Sequence, residues 1–146
     1  MGQIKKIYCS ECGFATQTRG LDEFYRDKNG DAKFYGHPKP ASEEAIEAGF
    51  LGFMADVLCL GCGKTIQNYI MKELVHPVKE GEDTINCEVK KKYSPKGNLC
   101  PNCNGKLVFM LREKNPDKEP DVDTLGTVKC PKCKNGILRQ TWVKIY

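Results

Sequence analysis

The chain has 146 residues, 40% of them apolar and 29% charged, with a formal net charge of +4. That balance excludes a disordered tail and fits one ordinary domain or two very small ones, the latter marginal without help from metal or cross-links. The longest apolar stretch, Phe50 to Ala55, is far too short to span a bilayer, and Met1 to Lys6 is basic with no apolar run behind it, so neither a membrane span nor an export signal is expected.

In chain order, Ile4 to Tyr8 alternates weakly and reads as a strand running into Cys9. Gly13 follows Cys12, at a place suited to a left-handed residue, and Phe14 to Arg19 reads as the departing strand. Asn29-Gly30 lies between two aromatic-rich runs and predicts a hairpin turn. An EF-hand reading of Asp27, Asn29 and Asp31 fails, because Ala32 and Pro38 occupy the positions that need glycine and a bidentate acid. Ser42 is placed to cap a short helix over Glu43 to Ala48, with early acids favoured by the dipole and Gly49 ending it. Phe50, Leu51, Phe53 and Met54 read as core rather than as a partner-binding patch. The stretch from Lys64 to Leu74 reads two ways: Ile66, Tyr69, Ile70 and Leu74 fit a helix face, while Ile66, Asn68, Ile70 and Leu74 partly fit a strand, and a helix is the expectation. His76 to Asp83 reads as a linker. Cys87 has no pairing partner in sequence and is expected to be a small buried thiol.

Beyond the linker, Lys90 to Lys96 is a basic run whose ordinary reading is solvated surface. Lys106 to Glu113 reads as a strand with Leu107, Phe109 and Leu111 on one face. Asn115 to Pro120 reads as a loop, and Val122 to Lys129 as a return. Ile137 to Tyr146 is a strong closing strand with alternating faces.

The motif that dominates the chain is a Cys-x-x-Cys turn repeated four times: Cys9/Cys12, Cys59/Cys62, Cys100/Cys103 and Cys130/Cys133. Each turn points two sulfurs at one place, and two turns complete a tetrahedral thiolate site. Eight thiolates make two closed sites, with two Zn²⁺ as the default occupants and iron as the alternative in one of them. Nine cysteines is an odd count, and eight sit in metal-type pairs, which fits a reducing cytoplasmic setting better than a secreted disulfide scaffold. Sequential pairing is the expectation: Cys9, Cys12, Cys59 and Cys62 on one ion, Cys100, Cys103, Cys130 and Cys133 on the other. The rival arrangement joins the outer turns to each other and the inner turns to each other. Loop entropy barely separates the two, since doubling a loop costs only about 0.6 kcal/mol.

Ile7-Tyr8-Cys9-Ser10-Glu11-Cys12-Gly13-Phe14 resembles a rubredoxin-type first knuckle. Cys100-Pro101-Asn102-Cys103-Asn104-Gly105-Lys106-Leu107-Val108 is similar to the zinc ribbons appended to nucleic-acid enzymes such as bacterial topoisomerases. The resemblance is to the zinc-ribbon or rubredoxin-like superfamily, and it implies a small, metal-bound, mostly β fold. Two ribbon-like modules built from β-hairpins are expected: residues 1–80, with the hairpin and one or two short helices inserted, and residues 81–146, a linker and a basic ribbon. The insert between paired turns is 46 residues in the first half, long for rubredoxin, and 26 in the second. Lys134 stands where a ribbon turn favours glycine.

The leading function is a non-catalytic adaptor or subunit that binds another macromolecule, a protein above all. Closed Cys₄ sites leave no open metal position, and no phosphate loop, nucleophile elbow or His-rich zinc motif is present. No small-molecule substrate is evident. Only His37 and His76 could serve as near-neutral bases, and each precedes a proline. The alternative is nucleic-acid binding by the C-terminal half. Residues 1–80 carry 10 basic and 11 acidic side chains, and residues 81–146 carry 13 and 8. Lys129, Lys132, Lys134, Arg139 and Lys144 surround the last turn, with Trp142 and Tyr146 as stacking groups. A second alternative is rubredoxin-like electron transfer by iron in one Cys₄ site.

Overall fold

The computed structural model describes residues 3–36, 39–79, 81–82, 87–94, 97–113, 123–125 and 128–145. His37, Pro38, Tyr146 and the loop expected at Asn115 to Pro120 lie outside the described residues. The fold is mostly β, with one short helix among the described residues. Its strands are β1 (Gln3–Cys9), β2 (Ala15–Gly20), β3 (Asp22–Arg26), β4 (Ala32–Phe34), β5 (Phe50–Cys59), β6 (Thr65–Val78), β7 (Val89–Lys92), β8 (Leu107–Val108), β9 (Met110–Glu113), β10 (Asp123–Leu125) and β11 (Leu138–Ile145). Helix α1 spans Glu43–Ala48. No helix among the described residues is long and apolar enough to cross a membrane.

Among the described residues three sheets result: β11-β1-β2, the parallel pair β10-β9, and β4-β3-β5-β6-β7 with β8 added to β5. The expected boundary near residue 80 falls between β6 and β7, which pair antiparallel. The first and last strands, β1 and β11, also pair, from Gln3 with Ile145 to Cys9 with Leu138.

Helix α1 forms as its caps dictate. Ser42 Oγ accepts from Ala45 N at 3.1 Å, and Gly49 closes the helix at φ 73°. The hairpin at Asn29-Gly30 forms between β3 and β4, with Gly30 at φ 82°. The segment from Lys64 to Leu74 is not a helix. It belongs to β6, fourteen residues long, which also absorbs the first part of the expected linker, His76 to Val78. The helical spacing was an artefact of bulges. The β5–β6 register slips three times, and Asn68 adopts φ 53°, so the inward positions leave strict alternation. Asp56, in one of those bulges, accepts Arg19 N at 2.9 Å and Asn68 N at 3.1 Å, tying β2 to β6. Thr16 and Thr65 add a hydroxyl contact of 2.7 Å between the same strands.

The core is divided. Tyr25, Tyr35 and Ala45 form one cluster, onto which Phe50 packs, and Met54 is buried, in line with a core role for this stretch. The other two clusters are centred on cysteines. Adjacent residues of β5 and β8 face opposite clusters. Leu58 and Val108 pack with Ile7, Cys9, Cys130 and Leu138, whereas Cys59 and Leu107 pack with Val57, Met71, Tyr93 and Cys100. The β5–β8 ribbon therefore separates two cysteine-bearing cores, one on each face.

Glu73 on β6 is 5% exposed and is held by Arg26 on β3, with Nη2 to Oε2 at 3.0 Å and Nε to Oε1 at 3.3 Å. Lys90 stands 3.8 Å away. The Arg26 hydrogen bond, with Lys90 and Lys91 nearby, holds the carboxyl below its ordinary 4.5. A depressed carboxylate stabilises the fold fully above 4.5, and the contribution is lost as pH falls through the lower folded value. Arg26→Ala should therefore cost about 1.5–3 kcal/mol at pH 7, the range for hydrogen bonds to charged groups. Urea titrations should show the gap between variant and parent narrowing below pH 4.5. A gap that does not change with pH would disprove the role. The difference is the quantity to follow, because acid acts on the rest of the fold in both proteins alike.

Candidate metal centres

Each Cys-x-x-Cys turn is a knuckle closed by its own backbone. Cys9 N donates to Phe14 O at 3.0 Å and Cys59 N to Lys64 O at 2.9 Å, so the first two knuckles end a strand and fold back on it. Cys100 N donates to Gly105 O and Cys130 N to Gly136 O, both at 2.8 Å, so the last two knuckles precede a strand. Backbone bridges flank these two alike, Leu99 with Lys106 and Lys129 with Ile137. The residue after the second cysteine is left-handed in three of the four: Gly63, Asn104 and Lys134, at φ 74°, 61° and 64°. Gly13 is not left-handed, contrary to expectation, and Lys134 takes that conformation despite its side chain.

The turns aim N–H groups at sulfur, which favours the thiolate. Glu11 N and Cys12 N donate to Cys9 Sγ at 3.3 and 3.4 Å; Gly61 N and Cys62 N donate to Cys59 Sγ at the same distances. Lys132 N reaches Cys130 Sγ, Gly136 N reaches Cys133 Sγ and Gly105 N reaches Cys103 Sγ, each at 3.3 Å.

The knuckles combine in the order the sequential reading did not favour. Cys9, Cys12, Cys130 and Cys133 form one group, and Cys59, Cys62, Cys100 and Cys103 form the other, each with its sulfurs within 4.8 Å of one another. The outer group has Cys9–Cys133 at 3.6 Å and Cys12–Cys130 at 3.7 Å; the inner has Cys59–Cys103 at 3.4 Å. A tetrahedron of zinc–sulfur bonds of about 2.3 Å has edges of about 3.8 Å. The donors thus fit a Cys₄ ion, and none of the nine cysteines, all among the described residues, is in a disulfide.

Strand pairing accounts for the correction. Each tetrad joins a knuckle that ends a strand to a knuckle that begins the neighbouring strand. Cys9 pairs with Leu138, and Ser10 N donates to Ile137 O at 3.1 Å. In the same way Cys59 pairs with Leu107, and Leu60 N donates to Lys106 O at 2.8 Å. The two centres are copies of one design, one nested inside the other in sequence.

Three glycines make room for the facing sulfur. A Cβ on Gly105 would lie 2.8 Å from Cys59 Sγ and one on Gly61 would lie 3.0 Å from Cys103 Sγ. A Cβ on Gly136 would intrude into Cys9 Sγ. The sequence shows these glycines, but only the long-range pairing of the knuckles reveals what they accommodate.

Without metal the thiols of a tetrad divide. Gly136 and Asn135 N–H groups lower Cys133 to about 6, and the Asn102 N–H lowers Cys100 to about 7. Burial pushes Cys59 up to about 12; Cys12, although the Phe14 backbone favours its thiolate, is carried to about 11 by burial and the neighbouring thiols. The lowered thiols favour capture of a cation, and binding at four sulfurs releases protons as a site fills.

Lys129, Lys132, Lys134 and Arg139 are exposed beside the outer centre, and the Lys134 ammonium reaches Leu60 O at 3.3 Å. Lys144 and Trp142 lie on β11. Cys87 is half-buried rather than buried, and His76 is exposed on β6. No protein-family model, curated protein or solved structure matches the chain.

Proposed function

We propose that the chain is a non-catalytic module of zinc-ribbon type, in which each tetrad holds one Zn²⁺ and the folded surface binds another macromolecule, a protein above all. The observation that carries this reading is the closure of both centres by four cysteine sulfurs each. Four thiolates fill a tetrahedral ion and leave no position for water or substrate. Soft sulfur in that geometry selects zinc or iron. The core supports a structural role, since two of the three clusters among the described residues include the candidate ligands. Such ions contribute on the order of 10–16 kcal/mol of apparent binding energy in small zinc domains, enough to decide whether they fold.

Native mass spectrometry of chain purified gently from its own host tests the reading. Two zinc ions per chain are expected, with a bound macromolecule retained at moderate salt. A chain carrying one ion or none overturns the metal assignment. Red, iron-bearing material from that source would favour electron transfer instead. The exposure of Lys129, Lys132, Lys134 and Arg139 favours nucleic acid as a second reading. Its signature is a log–log salt slope of about −0.7 to −0.9 per phosphate contact.

A further inference from the structure

The two centres share a design but differ in access. In the outer tetrad Cys9 and Cys130 are buried, and Cys12 and Cys133 are half-buried. In the inner tetrad Cys59 and Cys100 are buried, but Cys62 and Cys103 are exposed. We infer that the inner tetrad is an oxidant-responsive clasp: peroxide empties it through Cys62 and Cys103 while the outer tetrad keeps its ion. This rests on the two-metal reading above.

Thiolate sulfur that solvent can reach is the nucleophile in thiol oxidation, whereas buried sulfur is inert. A ligand sulfur is already a thiolate, so exposure decides which centre reacts. The reaction is a two-electron oxidation by peroxide. An exposed thiolate attacks one peroxide oxygen, the O–O bond breaks, hydroxide leaves and a sulfenic acid forms. A second thiolate of the tetrad, within 4.8 Å, then attacks that sulfur. The S–S bond forms, a second hydroxide leaves, and both hydroxides take up protons to become water. Two electrons have passed from two sulfurs to peroxide. The two thiolates left cannot close a tetrahedron, so the ion is released. A thiol reductant returns the electrons and restores four ligands.

The attachment of the knuckles makes the outcome local. The outer pair is continuous with the β1–β11 ladder, which runs the full length of β1. Among the described residues the third knuckle pairs with β5 at Leu107 and Val108 and through the Leu60–Lys106 hydrogen bond, and it is held further by the Tyr69 hydroxyl donating to Asn98 Oδ1 at 2.7 Å and the Tyr93 hydroxyl donating to Leu107 O at 2.8 Å. Emptying the inner site therefore frees the two knuckle turns, and opening stays local because these hydrogen bonds and the β1–β11 ladder do not run through the inner ion.

The test uses the full metal-loaded chain, graded hydrogen peroxide, native mass spectrometry and mapping of alkylated cysteines. Two ions should fall to one, with Cys62 and Cys103 oxidised and Cys9, Cys12, Cys130 and Cys133 still protected. The inner ion should leave first, because its accessible sulfurs are exposed where those of the outer tetrad are half-buried. Cys62→Ser should start with one ion and keep it at the dose that empties the parent's inner site. Loss of both ions together, loss of the outer ion first, or loss of the remaining ion from the variant at that dose overturns the inference. A parent chain that starts with fewer than two ions removes the two-metal reading itself, and so separates the two failures.

Discussion

Cys130→Ser should empty the outer centre and expose Cys9 and Cys12, while the inner centre stays loaded. Cys130 Sγ lies 3.7 Å from Cys12 Sγ across 118 positions of sequence, and Cys133 Sγ lies 3.6 Å from Cys9 Sγ across 124. Losing one thiolate of four breaks the closed shell, and the cost should be several kcal/mol out of the roughly 10–16 that a structural zinc ion contributes. Native mass spectrometry should find one ion instead of two. Alkylation should mark Cys9, Cys12 and Cys133 and spare Cys59 and Cys100. The opposite pattern, with Cys100 and Cys103 labelled and Cys9 protected, would restore sequential pairing and refute the nested arrangement. Residues 1–80 alone offer a further check on the same logic. They contain Cys9 and Cys12 from one centre and Cys59 and Cys62 from the other, half of each. That fragment should lack both native tetrads.

Why the pairing was hidden in the sequence follows from the range of the forces that set it. Local features were legible. Ser42 and Gly49 fix the ends of α1 through a side-chain cap and a positive φ, both decided within a few residues. Asn29-Gly30 fixes a hairpin for the same reason, and each knuckle announces itself by spacing and by its backbone N–H groups. The choice of partner knuckle is not local. It is decided by which strand lies beside β1 and beside β5, and loop entropy gives almost no preference at such separations. The helix expected over β6 failed for a related reason. Its periodicity came from bulges that exist only because β5 lies alongside, with Asp56 binding the bulge at Asn68. Lys134 shows the limit of residue preference. A left-handed lysine costs about 1–2 kcal/mol, yet the knuckle imposes φ 64° there and its ammonium finds Leu60 O.

Gly136→Ala should damage the outer centre, and Gly13→Ala should not, although both glycines follow closely on a knuckle cysteine. Gly136 is buried, its N–H donates to Cys133 Sγ at 3.3 Å, and its carbonyl accepts from Cys130 N at 2.8 Å. The backbone is thus pinned from both sides. A new methyl group would be driven into Cys9 Sγ and would also meet Glu11 Cβ at 3.0 Å. Neither can withdraw easily, because Cys9 is held by Glu11 N and Cys12 N and by its ladder partner Leu138. Overpacking of this kind costs about 1–3 kcal/mol, and here the displaced atom is a metal ligand, so weakened metal retention should come with it. Gly13 has nothing within 4 Å of its Cβ direction, and its φ is not positive. Alanine there should be neutral to slightly stabilising, by up to about 1 kcal/mol, through the reduced freedom of the unfolded chain. Chelator competition read by native mass spectrometry, with urea titration beside it, separates the two variants. If Gly136→Ala keeps its outer ion as tightly as the parent does, the close approach of Gly136 to Cys9 does not shape the centre.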